Sequence, residues 1–371
     1  MGAGLGLVPS ATANKLLKHG RAINRVLPVA EINRLTDDSV SVEFKLPDGQ
    51  LLDYRAGQYI TVSKWLNGEQ HTRCYSLCAG PNKGVLKIGV RHTKNGLMSG
   101  YINNELKAGD QLIVQGPFGD FIYPPTQDKV IKRLSLIAGG SGITPILSII
   151  EQALDEASEF AIDLIYACRS RDSIMFFQRL ESLKKLNLGR LTIRYVIESD
   201  DQDHAPLDLV GRLNGETIEQ VWPHVCDENQ QVKLHSEFYI CGPEGLKNSV
   251  VKSLTEYGIT EEHIHVEQFV MPMSEPVGEQ FQVAIQLANG IRHSLEVAAN
   301  QSVLEVAKFK GIQLPHACSS GTCGSCKLKV DSGKSVSIPD SIPGLTVDEK
   351  QAGITLACQC KPLEAMTLSE T

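Results

Sequence analysis

"HACSSGTCGSCKLKV", residues 316–330, is the stretch on which the reading of this chain turns. Cys318, Cys323 and Cys326 form a C-x4-C-x2-C array. Between them stand Ser319, Ser320, Gly321, Thr322, Gly324 and Ser325, small residues that let a backbone wrap closely and turn its N–H groups inward. Further on, "ITLACQCKPL" at 354–363 offers Cys358 and Cys360 as a fourth member.

Two kinds of metal site compete for this array. Zinc ribbons use paired C-x2-C knuckles, or one knuckle with a histidine pair. A single C-x2-C overlapping a C-x4-C, with a distant fourth cysteine, is instead the spacing of a [2Fe-2S] cluster. Inward N–H groups also suit a cluster that carries negative charge. The remaining cysteines among the 10, Cys74, Cys78, Cys168, Cys226 and Cys241, are scattered.

Working outward, "FQVAIQL" and "IRHSLEV" flank "ANG" as a hairpin, and "SVLEVAKFKG" has helical spacing. "MPMSEPVGEQ", 271–280, reads as a linker because of its two prolines and glycine. Before it, apolar strands such as "RLSLIAGG", "AIDLIYACR" and "SEFYICG" alternate with helical stretches, which predicts a parallel, doubly wound α/β sheet. Earlier still, "VSVEFKL", "QYITVS", "VLKIGVRH" and "QLIVQGPFG" are short strands set apart by "PDG" and "PNKG", which predicts an antiparallel β-barrel. The expected organisation is a multidomain chain: an N-terminal extension 1–22, a barrel 23–125, an α/β unit 126–270, the linker 271–280 and an α+β unit 281–371.

A length of 371 residues agrees with several cores. A net charge of −7 and a pI near 5.8 argue against nucleic-acid binding. No apolar run is long enough to span a bilayer, so no transmembrane segment is expected. The opening "MGAGLGLVPSATANKLLKHG" lacks the basic head, apolar stretch and cleavage site of a secretory signal. The expectation is a cytoplasmic protein with reduced thiols, in which residues 1–22 leave room for a contact with a partner or a membrane surface.

The first two segments carry motifs of their own. In "HTRCYSLC", Arg73 and Tyr75 share one face of a strand, with Ser76 beside them. They offer a cation for phosphate, an aromatic for a flat ring and a hydroxyl for a ring nitrogen. In "NGLMSGYINNEL", Gly96-x-x-Ser99 precedes a short helix with Ser99 read as its N-cap, and free N–H groups there suit phosphate. "GPFGDF" closes that segment. "LIAGGSGITPILSII" joins strand to helix through Gly139, Gly140, Ser141 and Gly142, with Thr144 as a cap and Pro145 in the first turn. "FYICGPEGL" puts Cys241, Gly242 and Pro243 at a strand end, and "HVEQF" brings Glu267 and Phe269.

Each motif alone is weak. In this order they resemble the ferredoxin–NADP reductase superfamily, and "LPHACSSGTCGSCKLKV…ITLACQCKP" resembles a plant-type ferredoxin of β-grasp fold. The whole, from about residue 23 to the end, is similar to single-chain reductases of bacterial oxygenase systems, such as those of phenylacetyl-CoA oxygenase and ketosteroid hydroxylase. The resemblance implies FAD (FMN in some relatives) held by Arg73, Tyr75, Ser76, Arg91, Gly96, Met98 and Ser99. It implies NADH or NADPH at Gly139, Gly140, Ser141, Gly142, Thr144, Pro145, Cys241, Gly242 and Pro243, with Ser76 and Cys241 nearest the chemistry. It implies cluster ligands Cys318, Cys323, Cys326 and Cys358, because the fourth ligand follows "LAC", and leaves Cys360 to packing.

The activity so implied is that of an NAD(P)H:acceptor oxidoreductase, passing electrons through FAD and the cluster to an oxygenase, hydroxylase or desaturase. A diaphorase of small acceptors, a reductase of a hybrid-cluster protein and a redox sensor are the competing readings. NADH is favoured: Glu198, Asp200 and Asp201 stand where relatives that use NADPH place Ser-Arg, although Arg169 and Arg171 follow the preceding strand. From 281 onward, eight acidic and eight basic residues leave no net charge, as suits a cluster domain delivered by its tether rather than by electrostatic steering.

Overall fold

The computed structural model describes residues 23–47, 52–123, 131–156, 160–198, 209–222, 235–267, 269, 274–339, 342 and 344–370. By internal contacts the chain divides into two compact units, residues 1–60 with 75–268, and residues 61–74 with 269–371. The expected extension at 1–22, Asp200, Asp201 and the first residues of the linker lie outside the described residues.

The first sheet contains β1 (Ile23–Thr36), β2 (Ser39–Phe44), β3 (Tyr59–Leu66), β4 (Glu69–Ser76), β5 (Leu86–Arg91) and β6 (Gln111–Phe118), in the order β4-β3-β6-β1-β2-β5. Strands β1 and β2, β1 and β6, and β2 and β5 pair antiparallel. An antiparallel bridge from Leu77 to Ile88, with Cys78 N–H donating to Lys87 O at 2.9 Å, brings the two edges together and closes a barrel. Closure removes exposed edges. A short helix, α1 (Leu97–Asn104), follows β5.

The second sheet is parallel throughout. Its strands are β7 (Arg133–Gly139), β8 (Ala161–Cys168), β9 (Leu191–Ile197), β10 (Leu209–Val210), β11 (Ser236–Cys241) and β12 (Ile264–Glu267), in the order β10-β9-β8-β7-β11-β12. Helices α2 (Ile143–Asp155), α3 (Phe177–Leu186), α4 (Gly215–Val221) and α5 (Glu244–Glu256) connect them. All six residues of β11 are buried, as a sheet covered on both faces requires.

Barrel and parallel sheet share one core, in which Ala56, Cys78, Phe121 and Tyr123 pack with Leu136, Ile149 and Tyr239. Polar contacts line the same seam. The buried Glu151 carboxylate accepts Gly80 N–H at 2.8 Å and the Arg179 guanidinium at 2.6 Å. Ser148 Oγ donates to Ala79 O, and Tyr239 Oη donates to Ile122 O.

The third sheet holds β13 (Gln280–Gln286), β14 (Arg292–Ala298), β15 (Lys327–Ser332), β16 (Ile354–Leu356) and β17 (Met366–Glu370), in the order β14-β13-β17-β15-β16. β13 and β17 are parallel and the other neighbours antiparallel. Helix α6 (Val303–Phe309) packs Val303, Val306 and Ala307 on this sheet, and α7 (Val347–Gln351) precedes β16. Ser302 caps α6, and Glu305 answers from three residues on, its Oε2 accepting Ser302 N–H at 2.7 Å. The same carboxylate accepts Ser274 N–H and Oγ–H at 3.1 and 2.9 Å. Burial works to raise the Glu305 carboxyl, but the hydrogen bonds from Ser302 and Ser274 win and hold it below its usual range. The later part of the expected linker is therefore fastened to the α6 cap.

Candidate active site

The cluster loop brings all four expected ligands together, as two pairs of thiols. Cys318 N–H donates to Cys323 Sγ at 3.5 Å, and Cys323 N–H returns to Cys318 Sγ at 3.4 Å. Ser320 N–H also reaches Cys318 Sγ, and Gln359 Nε2 reaches Cys358 Sγ. The Cys323 thiol, opposed by burial and aided by Ser320 and Thr322, draws Cys318 down to about 4. Cys323 is pushed up by that hydrogen bond and by burial, and Cys358 by its hydrogen bond with Cys326 and by burial. Four thiols gathered in two contacting pairs form a donor set that suits bound iron. Among the described residues no three His, Cys, Asp or Glu side chains gather as a single ion requires. Two pairs fit a two-iron cluster. Cys360 lies fully buried in the core, its thiol raised by burial, as a packing residue does.

The wrapped loop depends on left-handed backbone at Ser319, Gly321 and Gly324, with φ of 57°, 85° and 70°. Gly344, from a segment the motif does not include, lies directly beneath. Its N–H donates to Gly321 O at 3.0 Å, and a Cβ there would stand 2.2 Å from that oxygen. A cavity of about 430 Å³ opens beside Cys358, bordered by Ser319, Ser320, Lys308, Phe309 and Lys361.

Strand β4 carries Arg73, Tyr75 and Ser76 in the expected alternation, with Arg73 exposed and Ser76 buried. The Gly96 turn corrects one expectation. Gly96, not Ser99, is the N-cap of α1, and Ser99 lies within the first turn. Ser99 Oγ instead bonds Thr93 Oγ1 at 2.9 Å and donates to Gly96 O. A Cβ on Gly96 would stand 2.2 Å from Thr93 Oγ1 and 2.4 Å from Ser99 Oγ, so a larger residue would have to displace both hydroxyls. Among the described residues no side chain caps α1, and its first internal bond is from Gly100 N–H to Gly96 O. The first-turn N–H groups, Met98 and Ser99 included, are thus available to a phosphate, and this fits a flavin's pyrophosphate.

Arg91 points from β5 toward the glycine turn. Its guanidinium donates to Ser173 O at 2.5 Å, lies 3.3 Å from Asp38, and stands 3.3 Å from where a Gly140 Cβ would be. The contact with Asp38 is made by the buried Nε as an ion pair, without hydrogen-bond geometry.

The turn Gly139–Gly142 packs backbone on backbone against Cys241–Pro243. A Cβ on Gly142 would stand 2.1 Å from Cys241 O, and one on Gly139 would stand 2.8 Å from Pro243 Cδ. Here too the expected cap differs. Gly142 is the N-cap of α2, while Thr144 Oγ1 donates back to Ser141 O at 3.0 Å and Pro145 sits buried in the first turn. Tyr166, which carried no motif, braces the turn by donating its Oη–H to Gly140 O at 2.9 Å. An uncapped helix start behind glycine backbone fits a nicotinamide nucleotide's pyrophosphate.

Cys241 is fully buried at the end of β11, its thiol raised by burial and then by Glu267, its partner on β12. Burial pushes the Glu267 carboxyl up to about 7, opposed by Lys247 and reinforced by Asp120. Lys247 Nζ donates to Glu267 O at 3.2 Å. Phe269 is exposed. At the β9 end, Glu198 lies 3.7 Å from Arg212. The two competing arginines are engaged, Arg169 with Asp38 at 3.3 Å and Arg171 over the Phe177 ring.

Comparison with known proteins agrees with this anatomy. Family models for an oxidoreductase FAD-binding domain, an oxidoreductase NAD-binding domain and a 2Fe-2S iron-sulfur cluster binding domain match residues 26–123, 136–252 and 287–363. A subunit of the 1,2-phenylacetyl-CoA epoxidase of Escherichia coli is 32% identical, over 91% of this chain and 94% of its own. The ferredoxin reductase component of Mycobacterium tuberculosis 3-ketosteroid-9-alpha-monooxygenase is 28% identical, over 91% and 92%. The crystal structure of phthalate dioxygenase reductase, 27% identical, superposes with a TM-score of 0.56 over 94% of this chain and 98% of its own. The chain therefore belongs to the single-chain reductases of oxygenase systems, oxidoreductases that carry electrons from NAD(P)H through FAD and a [2Fe-2S] cluster to a partner oxygenase.

Proposed function

We propose that this reductase draws on NADH in preference to NADPH, that residues 23–125, 126–270 and 281–371 serve as its flavin, nucleotide and cluster domains, and that it works in the cytoplasm. The observation that carries the electron path is the convergence of Cys318, Cys323, Cys326 and Cys358 into two thiol pairs. Bound flavin accepts a hydride and gives up electrons one at a time, which is the form a [2Fe-2S] cluster takes.

The chain's own residues bind and orient. The open N–H groups of α1 would hold the flavin phosphates, and Tyr75 and Ser76, which follow Arg73 on β4, would border its ring. Gly139–Gly142 and the start of α2 hold the nucleotide phosphates. Cys241 would border a bound nicotinamide, and the Glu267 carboxyl beside it holds a proton near neutral pH. Glu198, although 3.7 Å from Arg212, offers an acceptor to a ribose hydroxyl, and the engagement of Arg169 and Arg171 leaves fewer cations for a 2′-phosphate.

Anaerobic titration with NADH, and separately with NADPH, followed by absorbance and low-temperature EPR, tests this. Flavin bleaching followed by a [2Fe-2S] signal, at lower NADH than NADPH, is expected. Bleaching of flavin in protein shown to contain iron, with no cluster signal, would leave only a diaphorase.

A further inference from the structure

Strand β12 is four residues long, stands at the edge of its sheet and pairs with β11. Val266 is exposed, and Ile264 packs partly buried on the core beneath. A carboxylate adds to that hold. Glu237 on β11 is 2% exposed, and its two oxygens lie 2.9 Å from His263 Nδ1 and 2.7 Å from His265 Nε2. Each imidazole thus has one ring nitrogen within hydrogen-bond distance of a Glu237 oxygen. The His265 ring also stacks on Tyr239, with centroids 4.4 Å apart and planes 25° from parallel. A second carboxylate, Glu262, stands 3.7 Å from His263 Nε2.

A buried carboxylate is a poor device for stability alone, because an apolar side chain of the same volume does as well. It is a good device for position. One contact goes to His265 inside β12 and the other to His263, the residue just before the strand, so together they fix where β12 starts and its register on β11. The twofold period of a strand carries that register along the sheet. His265 and Glu267 share one face of β12, beside Tyr239 and Cys241, their partners on β11. At about 3.3 Å per residue, the clasp acts two residues from Glu267.

We propose that Glu237 is a positioning residue for hydride transfer: by clasping His263 and His265 it sets where Glu267 lies beside Cys241. The proposal rests on the reading of Cys241 and Glu267 given above. The groups that face Glu267 are Lys247 from α5, Asp120 after β6 and Cys241 from β11. The clasp grips the other end of β12 and reaches Glu267 through the strand itself.

The test uses the flavin-loaded full chain in wild-type, Glu237→Ala, Glu237→Gln and His265→Asn forms. One readout is the infrared band of the protonated Glu267 carboxyl, assigned with Glu267→Gln and titrated with pH. The second is the single-turnover rate of flavin bleaching by NADH across pH. With Glu237→Ala, the Glu267 midpoint should fall by a unit or more as the loosened strand admits water, and the saturating rate should drop about tenfold. Glu237→Gln, which keeps one acceptor, should recover most of both. If Glu237→Ala does not fold, His265→Asn provides the same midpoint comparison. A lowered melting temperature with an unmoved midpoint and rate would overturn the proposal. Failure of NADH to bleach the wild-type flavin would instead remove the underlying reading.

Discussion

Replacing Glu267 with glutamine should make the protein more stable, and only above a defined pH. Burial raises the Glu267 carboxyl from an ordinary 4.5 to about 7. Each pH unit of such a shift corresponds to about 1.36 kcal/mol, so the full displacement is worth about 3 kcal/mol. The sign follows from proton counting. Between pH 4.5 and 7 the folded chain keeps a proton at Glu267 that the unfolded chain has released. The stability this contributes is fully present below 4.5 and is lost as pH rises through 7.

Glutamine removes that dependence. Wild type and variant should melt together near pH 4.5 and diverge as pH rises, the variant gaining up to about 3 kcal/mol above neutrality, roughly 5–10 °C for a unit of this size. The assay is thermal unfolding by circular dichroism at matched flavin loading, since bound flavin itself stabilises the fold. Melting curves that shift in parallel with pH in both proteins would refute the reasoning, because Glu267 would then not be the buried acid that titrates.

Other outcomes follow from the same geometry. Gly142→Ala places a methyl 2.1 Å from Cys241 O, so NADH-driven flavin bleaching should slow at least tenfold in stopped flow, while dithionite still produces the cluster's EPR signal. Cys358→Ser should lose iron and the EPR signal, whereas Cys360→Ser should keep both, as measured by iron content and EPR on the purified chains. Gly344→Ala should also lower cluster occupancy, because its methyl meets Gly321 O at 2.2 Å. Glu151→Ala leaves Gly80 N–H buried without an acceptor and should cost about 2 kcal/mol in urea unfolding, a loss limited because Arg179 is half exposed and can hydrate.

The sequence displays these features unevenly, for physical reasons. The strands of the barrel and the α/β unit announce themselves through period and punctuation, and the cluster ligands through spacing, because those signals are local. Sequence places the caps wrongly, at Ser99 and Thr144, because side-chain preference points to a hydroxyl at a helix start. Both turns use glycine instead, at Gly96 and Gly142, where neighbouring atoms crowd the place of a Cβ. Gly344 beneath the cluster loop, Tyr166 beneath the glycine turn and Glu237 behind β12 act across long stretches of chain. No spacing rule reaches them. Closure of the barrel at Leu77 and Ile88 is likewise a tertiary event.

The core common to the barrel and the parallel sheet has a consequence for exchange of parts. Phe121 and Tyr123 from one side interlock with Tyr239 from the other, and Glu151 on α2 is the acceptor for Gly80 N–H across the seam. Neither half has a finished surface of its own on that side. A chimera that joins one reductase's barrel to another's nucleotide sheet would have to rebuild the seam residue by residue. Barrel and nucleotide sheet are therefore exchanged together or not at all.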